Sequence, residues 1–477
     1  MYIINHSNAM SIDFLPISSK FVPSLFLLAL FTIINVAWIS LFFISIRSYL
    51  HTPKITSERP CPTSQISGTS KIKRIKNKSG TPVPFVSIII PARNEQDTIE
   101  GCILSLLNQD YPNFELIIVD DNSADNTLKI VQETKVRIRG LGPGRGLPLS
   151  IERLKIISLT EKPDKWTGKT WASEQGYLQS SGNILLFTDA DTYYMSKDTI
   201  SQAVSYMQKE NLDVLTGLPF IELRDFWSKI TMPLWNHFSI LLGANTGAMN
   251  NPKSKVAYLM GSFFLIRKKV IEEVGSFRSV RNAIQEDREL GMRIKQAGYN
   301  MKIVRIDNAV SALWSRDLLT LWHGIGRTFA PMTKRQIFAS LITVFFMAML
   351  PFVLLPYTLL PGAYTGVSNV NPFLWMADIS DILQQQQELE QLVVLSFYLN
   401  VITCLTIVIA VAAKDMKKYR IAPVYSLLSF LGAGFIVVSY IANILSLLSK
   451  QSISWRGRTS IITYSNEVQS HRHINRD

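Results

Sequence analysis

The chain has 477 residues, of which 47% are hydrophobic and only 18% charged, with a mean hydropathy of +0.16 and a formal net charge of +13. It is too long for one small domain and apolar enough to call for membrane segments. The positive balance asks for an anionic partner, and three scattered cysteines, Cys61, Cys102 and Cys404, exclude a metal knuckle and a disulfide framework while fitting a reduced, cytoplasmic main domain.

Residues 1–20 read as an N-terminal tail, and 21–46 as a transmembrane helix. The run "FVPSLFLLALFTIINVAWISLFFIS" (21–45) is uncharged, long enough to cross a bilayer and longer than the core of a signal peptide. Residues 47–82 form a basic linker. They carry Arg47, Lys54, Arg59, Lys71, Lys73, Arg74, Lys76 and Lys78 against the single acid Glu58, which places this side in the cytoplasm.

Strands and helices alternate through 83–335. "FVSIII" (85–90), "FELIIVD" (114–120), "LKIISL" (154–159) and "NILLFTD" (183–189) read as buried strands. "DTIEGCILSLLNQ", "ADNTLKIVQET" and a segment from Lys169 to Ser180 read as helices between them. This alternation predicts an α/β domain with a parallel sheet, whose ligands bind beyond the carboxyl ends of the strands. Residues 336–450 hold three further apolar spans, near 337–360, 391–413 and 421–449. The loop 361–390 has acids and no Lys or Arg and belongs outside; the short basic loop "KDMKKYR" belongs inside. Four simple crossings would leave the basic tail, 451–477, outside against that rule; a re-entrant span would remove the conflict.

Three acidic sites fall where ligands should bind: "VDDNSADNT" (119–127), "TDADT" (188–192) and "QEDREL" (285–290). Asp189 and Asp191 are one residue apart at the end of an apolar run. On an extended chain such residues share a face, and like charges so close call for a cation between them. Mg²⁺ or Mn²⁺ takes one or two carboxylates and completes its shell with substrate phosphates. A further carboxylate across the cleft can act as base toward an incoming hydroxyl.

The stretch "VSIIIPARNEQDTIEGCILSLLNQDYPNFELIIVDDNSADNT", then "FTDAD", then "QEDREL" resembles the motif series of glycosyltransferase family 2. "DKWTGKTWASEQG" (164–176) and the late "SWRGR" (454–458) resemble its membrane-bound branch, which includes ceramide glucosyltransferases and the hopanoid- and carotenoid-associated glycosyltransferases. The resemblance implies a GT-A fold and inverting transfer from a nucleotide-sugar, a UDP-sugar by preference, to a lipid acceptor. It implies that Pro91, Ala92, Arg93, Asn94 and Glu95 form the first nucleotide-binding loop and that Asp121 contacts the base. Lys169 then faces the diphosphate, Asp189 and Asp191 hold the metal and ribose, and Gly261 and Ser262 line the sugar pocket. Asp287 is the catalytic base, with Glu286 beside it. The Q-x-x-R-W of processive members is absent. The corresponding "SRDLLTLWHGIGR" (315–327) keeps Trp322 without the preceding Gln and Arg, which leaves Arg316 or Arg327 to serve the phosphates. Trp455, Arg456 and Arg458 are expected phosphate or lipid contacts, or a plain membrane-flanking cluster.

Several plainer readings stand beside these. Asp120 is structural next to Asp121, and Asp125 caps the following helix. "GKT" (168–170) is not a phosphate loop, because Pro163 stands where the first glycine is needed. "RGLGPGRG" (139–146) reads as a flexible basic insertion. "DFWSKITMPLWNHFSILLGAN" (225–245), broken at Pro233, reads as an interfacial segment near the acceptor mouth or as an ordinary core helix pair. The expectation is an integral cell-membrane glycosyltransferase with a cytoplasmic catalytic domain and no nucleic-acid partner, its oligomeric state open. The alternatives are a polyprenyl-phosphate sugar synthase, a polysaccharide synthase, or a non-catalytic membrane protein with a degenerate transferase domain.

Overall fold

Strand-forming runs of the sequence gather into one seven-stranded sheet in a computed structural model. It describes residues 15–55, 83–140, 153–241, 246–329, 334–358, 379–412, 417–448, 453–455 and 458–460. A long helix α1 (Leu15–His51) precedes β1 (Val86–Ala92), α2 (Ile99–Leu107), β2 (Phe114–Asp121), α3 (Thr127–Gly140), β3 (Leu154–Leu159), α4 (Gly168–Leu178) and β4 (Ile184–Phe187). Then come β5 (Thr192–Tyr194), α5 (Thr199–Lys209), β6 (Val214–Leu218), β7 (Phe220–Leu223), α6 (Phe226–Leu241) and α7 (Thr246–Asn250). The domain continues through β8 (Phe264–Arg267), α8 (Lys268–Glu273), α9 (Glu286–Gln296), β9 (Met301–Arg305), β10 (Val310–Ser315) and α10 (Leu318–Phe329).

The large sheet runs β3-β2-β1-β4-β8-β6-β9, and β5-β10-β7 form a smaller one. β1 to β4 are mutually parallel, while β8 is antiparallel to both neighbours. Alternation along β1 divides the core. Ile88 and Ile90 face one layer of helices and Ile89 the other, all of them fully buried. Register sets Ala92 beside Asp120 and Ile89 beside Phe187, so the loops after β1, β2 and β4 emerge at one edge. On α4, a Cβ on Gly176 would lie 2.4 Å from Ile89 Cγ2. Only glycine permits this approach, which fixes the helix start over that edge. Thr167 caps α4, its Oγ1 accepting from the Thr170 amide at 3.3 Å.

A second body of helices follows: α11 (Lys334–Val344), α12 (Leu350–Thr358) after a π-helical turn at Phe345–Met349, α13 (Ile379–Ala410) and α14 (Ser429–Leu448). They pack with α1, α6 and α10 around Trp38, Trp235, Leu321, Ile407 and Tyr440. Asn35 of α1 donates to Thr403 Oγ1 of α13 at 2.6 Å inside this layer. Residues 47–55, the expected start of the linker, continue α1 and then join the sheet edge. Arg305 N–H donates to Pro53 O at 2.7 Å, and the Arg305 guanidinium stacks 3.5 Å from the Tyr49 ring.

Two expectations change. Residues 379–390 are helical rather than loop, since their Leu, Gln and Glu favour helix. α6 runs through Pro233 without ending, and Ile230, Leu234, Trp235 and His237 are buried in the helical layer, which is the core-helix reading and not a surface-lying segment. Among the described residues one helix, Leu28–His51, is long and apolar enough to cross a membrane; Tyr398–Ala410 and Ser429–Ala442 are shorter apolar helices. Cys102 and Cys404 are buried free thiols. Cys61, most of the linker, the insertion after 140 and the tail beyond 460 lie outside the described residues.

Candidate active site at the carboxyl edge of the sheet

The loops after β1 and β2 interlock before anything else can bind. Arg93 donates to the carbonyl oxygens of Asp121 and, at 2.7 Å, of Asn122. The Asn94 amide donates to Ser123 Oγ at 3.0 Å, and Asn94 Oδ1 accepts from the Ala124 amide at 2.8 Å. Asn94 and Asn122 both sit at φ 53°, a left-handed conformation that Asn tolerates better than most residues. Asp120 accepts from the Ser123 amide at 3.2 Å, and Asp125 from the Thr127 amide at 2.9 Å. Both are structural here, in keeping with their plainer readings.

These loops wall a cleft of about 100 Å³ whose lining includes Glu95, Asp121, Lys169, Asp189 and Asp191, with Pro91, Ala92 and Arg93 along its floor. The two aspartates arrive there on a turn between β4 and β5, not on an extended strand; the Thr192 amide donates back to Asp189 O at 3.2 Å. A smaller cavity opens next to it, lined by Gly261, Phe187, Phe264, Phe277, Glu286 and Asp287. Lys169 reaches into both. Its ammonium lies 2.7 Å from Asp189 Oδ1 and 3.0 Å from Glu286 Oε1, joining residues of α4, the β4 turn and the first turn of α9. A Cβ on Gly261 would come within 2.8 Å of Lys169 Nζ and 2.9 Å of Asp189 Oδ2, so a side chain here would push this pair aside. Ser262 is buried and presents its carbonyl to Thr188 Oγ1 at 2.8 Å.

Electrostatics divide the groups. Burial opposes the Lys169 charge, but Asp189, Glu286 and Asp287 outweigh it and hold the ammonium well above its usual range. Burial pushes Asp287 up to about 7, the Glu286 charge adding to the rise and Lys169 working against it. The Arg288 amide donates to Asp287 Oδ1 at 2.7 Å and fixes the carboxyl at the start of α9. Phe187 stacks on Phe264 at 4.9 Å and meets Phe277 edge-on at 5.1 Å, giving the apolar wall behind Asp287. Sequence reasoning missed these three rings, because two lie in strands and one opens a short 3-10 helix, where each is indistinguishable from core.

Asp121, Asp189 and Asp191 offer hard oxygen donors around one cleft, the chemistry Mg²⁺ and Mn²⁺ take. Among the described residues no group of three or more His, Cys, Asp or Glu is arranged to hold a metal by itself. A cation bound here would need further oxygens from a ligand, as phosphates supply.

The other expected contacts lie elsewhere. Trp322 sits in the helical layer, edge-on to Phe435 at 5.6 Å, and is not part of the cleft wall. Arg327 belongs to α10. Trp455 ends β11 (Ile453–Trp455) and Arg458 starts its partner β12 (Arg458–Ser460), while Arg456 lies outside the described residues. Arg316 does not extend into the cleft: it pairs with Glu95 and, at 3.3 Å, with Asp97.

Residues 87–275 match the family model described as Glycosyl transferase family 2, and 184–412 match Glycosyl transferase family group 2. Residues 87–275 carry a glycosyltransferase family 2 domain. The chain's seven-stranded, mostly parallel sheet is the GT-A catalytic fold expected from the motif series. The chain is 27% identical over 46% of its length to "Probable glycosyltransferase YdaM" of Bacillus subtilis, covering 49% of that protein. It is 25% identical over 50% of its length to "Beta-monoglucosyldiacylglycerol synthase" of Trichormus variabilis, covering 47% of it. The chain thus spans about half the length of these two relatives. It is 27% identical over 36% of its length to "N-acetylglucosaminyltransferase" of Bradyrhizobium elkanii, covering 87% of it. Among solved structures it resembles "Mannosyltransferase PcManGT from Pyrobaculum calidifontis in complex with GDP-Man and Mn2+", at TM-score 0.45 and 16% identity, covering 88% of this chain and 99% of that one.

Proposed function

We propose that the protein is an integral membrane, inverting glycosyltransferase that moves a sugar from a nucleotide-sugar, a UDP-sugar by preference, to a lipid acceptor. The observation that carries the reading is the Lys169 bridge, which joins Asp189 to Glu286 where a cleft lined by Asp121 and Asp191 adjoins a smaller cavity lined by Asp287. Pro91 to Glu95 and Asp121 would bind the nucleoside, and Lys169 would meet the diphosphate. Asp189 and Asp191 would hold Mg²⁺ or Mn²⁺, which when bound offsets the charge developing on the departing diphosphate. Asp287 takes the proton of the acceptor hydroxyl. The acceptor oxygen forms its bond to the anomeric carbon as the bond to the diphosphate oxygen breaks on the opposite face, and the configuration inverts. Gly261, which lines the smaller cavity, would border the sugar.

The membrane part of the reading rests on exposed apolar side chains in the helical layer. Ile33, Val36 and Phe43 of α1, Ile402 and Ile409 of α13, and Val438 and Leu445 of α14 all face outward. An apolar exterior on this scale suits lipid rather than water. In domain terms, 21–46 anchors, 83–335 catalyses and 336–450 completes the membrane region, with the catalytic domain cytoplasmic. The relative named a glucosyldiacylglycerol synthase favours a lipid acceptor.

The test is transfer from radiolabelled UDP-glucose, UDP-GlcNAc and GDP-mannose to a membrane lipid extract by purified full-length protein. A labelled glycolipid stable to mild acid supports the reading. A product labile to mild acid indicates a sugar phosphate and moves the assignment to a polyprenyl-phosphate sugar synthase.

The pH profile gives a further check. A base must be deprotonated to accept the hydroxyl proton, and Asp287 loses its proton near 7. Activity measured as kcat/KM should therefore rise with pH through about 7 and level off above it. A profile already flat from pH 5 upward would separate Asp287 from that role.

A further inference from the structure

Ser315, Arg316 and Asp317, between β10 and α10, each hold a different part of the molecule. Ser315 Oγ donates to Asp225 Oδ2 at 3.1 Å, and Asp225 caps α6 by accepting from the Ser228 amide at 2.9 Å. Asp317 caps α10, accepting from the Thr320 amide at 2.8 Å. Arg316, between them, turns toward the nucleotide loop. Its guanidinium donates to Glu95 Oε2, to Asp97 Oδ2 at 3.3 Å and to Thr98 Oγ1 at 3.4 Å. The caps belong to α6 and α10, both built into the apolar helical layer. Glu95 belongs to the wall of the cleft, whereas Arg316 lines neither cavity.

Glu95 is only 4% exposed, and a carboxylate that buried needs a counter-charge. Its backbone is already fixed. The Glu95 amide donates to Thr127 Oγ1 at 2.7 Å, and its carbonyl accepts from the Ile99 amide at 2.9 Å. Thr98 Oγ1 donates to Glu95 Oε2 at 2.9 Å, a neutral partner that leaves the charge of the side chain to be offset, in a cleft that also holds Asp121, Asp189 and Asp191 and that a polyanionic ligand has to enter. Asp97 is 66% exposed at its side chain, so its pairing contributes little beside that of Glu95.

We propose that Arg316 is a positioning residue for the donor: it neutralises and aims Glu95, and so couples the seating of α10 in the apolar layer to the shape and charge of the nucleotide pocket. The proposal rests on the donor reading above. Because Arg316 acts through Glu95 and not on the reacting atoms, it governs donor affinity rather than turnover. Lys would keep the charge but not the planar fork that reaches Glu95, Asp97 and Thr98 together.

The experiment compares full-length Arg316→Ala, Arg316→Lys, Glu95→Gln and the Arg316→Ala/Glu95→Gln double variant with the unmodified protein. The readouts are UDP and UDP-glucose affinity by titration calorimetry with Mg²⁺, steady-state kinetics, and amide hydrogen exchange of the ligand-free protein. Arg316→Ala should weaken donor binding roughly tenfold or more, with kcat within about threefold, and Arg316→Lys should recover part of the loss. The double variant should lose less than the product of the two single losses, since both remove one interaction. Exchange over residues 94–99 should quicken in Arg316→Ala while that of β3 stays unchanged. Losses that multiply, kcat falling together with affinity, or unchanged exchange over 94–99 would overturn the proposal. Should the unmodified protein bind no nucleotide-sugar, the donor reading fails, and the exchange measurement still decides whether Arg316 holds Glu95.

Discussion

Asp287→Asn is expected to lower kcat by roughly 10²–10⁴-fold, the range spanned by general-base assistance, with donor binding and the unfolding midpoint close to unchanged. Asp287 lies in the first turn of α9, with Phe187, Phe264 and Phe277 behind it and Glu286 beside it. Burial and the neighbouring charge hold its carboxyl at about 7, where it can accept a proton at physiological pH and release it afterwards. Asn preserves the shape and can still accept from the Arg288 amide, but it cannot take up a proton. Loss of kcat with retained UDP affinity, in a protein that melts at the same temperature, is the expected pattern. A variant that keeps more than about a tenth of the activity would remove Asp287 from the mechanism.

Lys169→Met carries the second large effect. One ammonium is shared by Asp189 and Glu286 at 2.7 and 3.0 Å and lowers the pKa of Asp287. Without it, three carboxylates face one another across a partly buried cleft that must receive a diphosphate. Losing one charged donor aimed at developing negative charge costs on the order of 10²–10³-fold in rate, and since the Lys169 side chain is 23% exposed the lower end applies, roughly 10²-fold in kcat/KM. The sign for pH follows from the same contact. Lys169 holds Asp287 down, so its loss raises that pKa further above 7 and moves the rising limb of the pH profile upward. Part of the lost activity should return at pH 8.5–9. A limb that stays where it was would show that Lys169 and Asp287 do not sense each other.

The sheet and the acidic edge were legible in the sequence because both follow from local rules. Uninterrupted apolar runs such as Leu116–Val119 and Ile184–Phe187 mark strands buried on both faces, and a parallel sheet sends their following loops to one side. Lys169 was reached only through resemblance. Nothing in "GKT" tells that its ammonium meets Asp189 and Glu286; that depends on the close approach of α4 over Ile89 at Gly176. The Asp189–Asp191 pair falls at the carboxyl edge, but a turn and not strand alternation carries it. The fate of Arg316 was not legible at all. Its partners, Glu95 and Asp97, are some 220 positions away, and only the folded β10–α10 junction brings them together.

A sugar nucleotide is expected to bind at the carboxyl edge of the sheet together with a divalent cation held by Asp189 and Asp191. The deciding measurement is titration calorimetry of the purified full-length protein with UDP-glucose, UDP-GlcNAc and GDP-mannose, run with Mg²⁺ or Mn²⁺, after EDTA, and with Asp191→Ala. At least one of them should bind saturably, with affinity weakened about tenfold or more by EDTA and again by Asp191→Ala. Binding of none of the three, or binding indifferent to both the metal and Asp191, would contradict it.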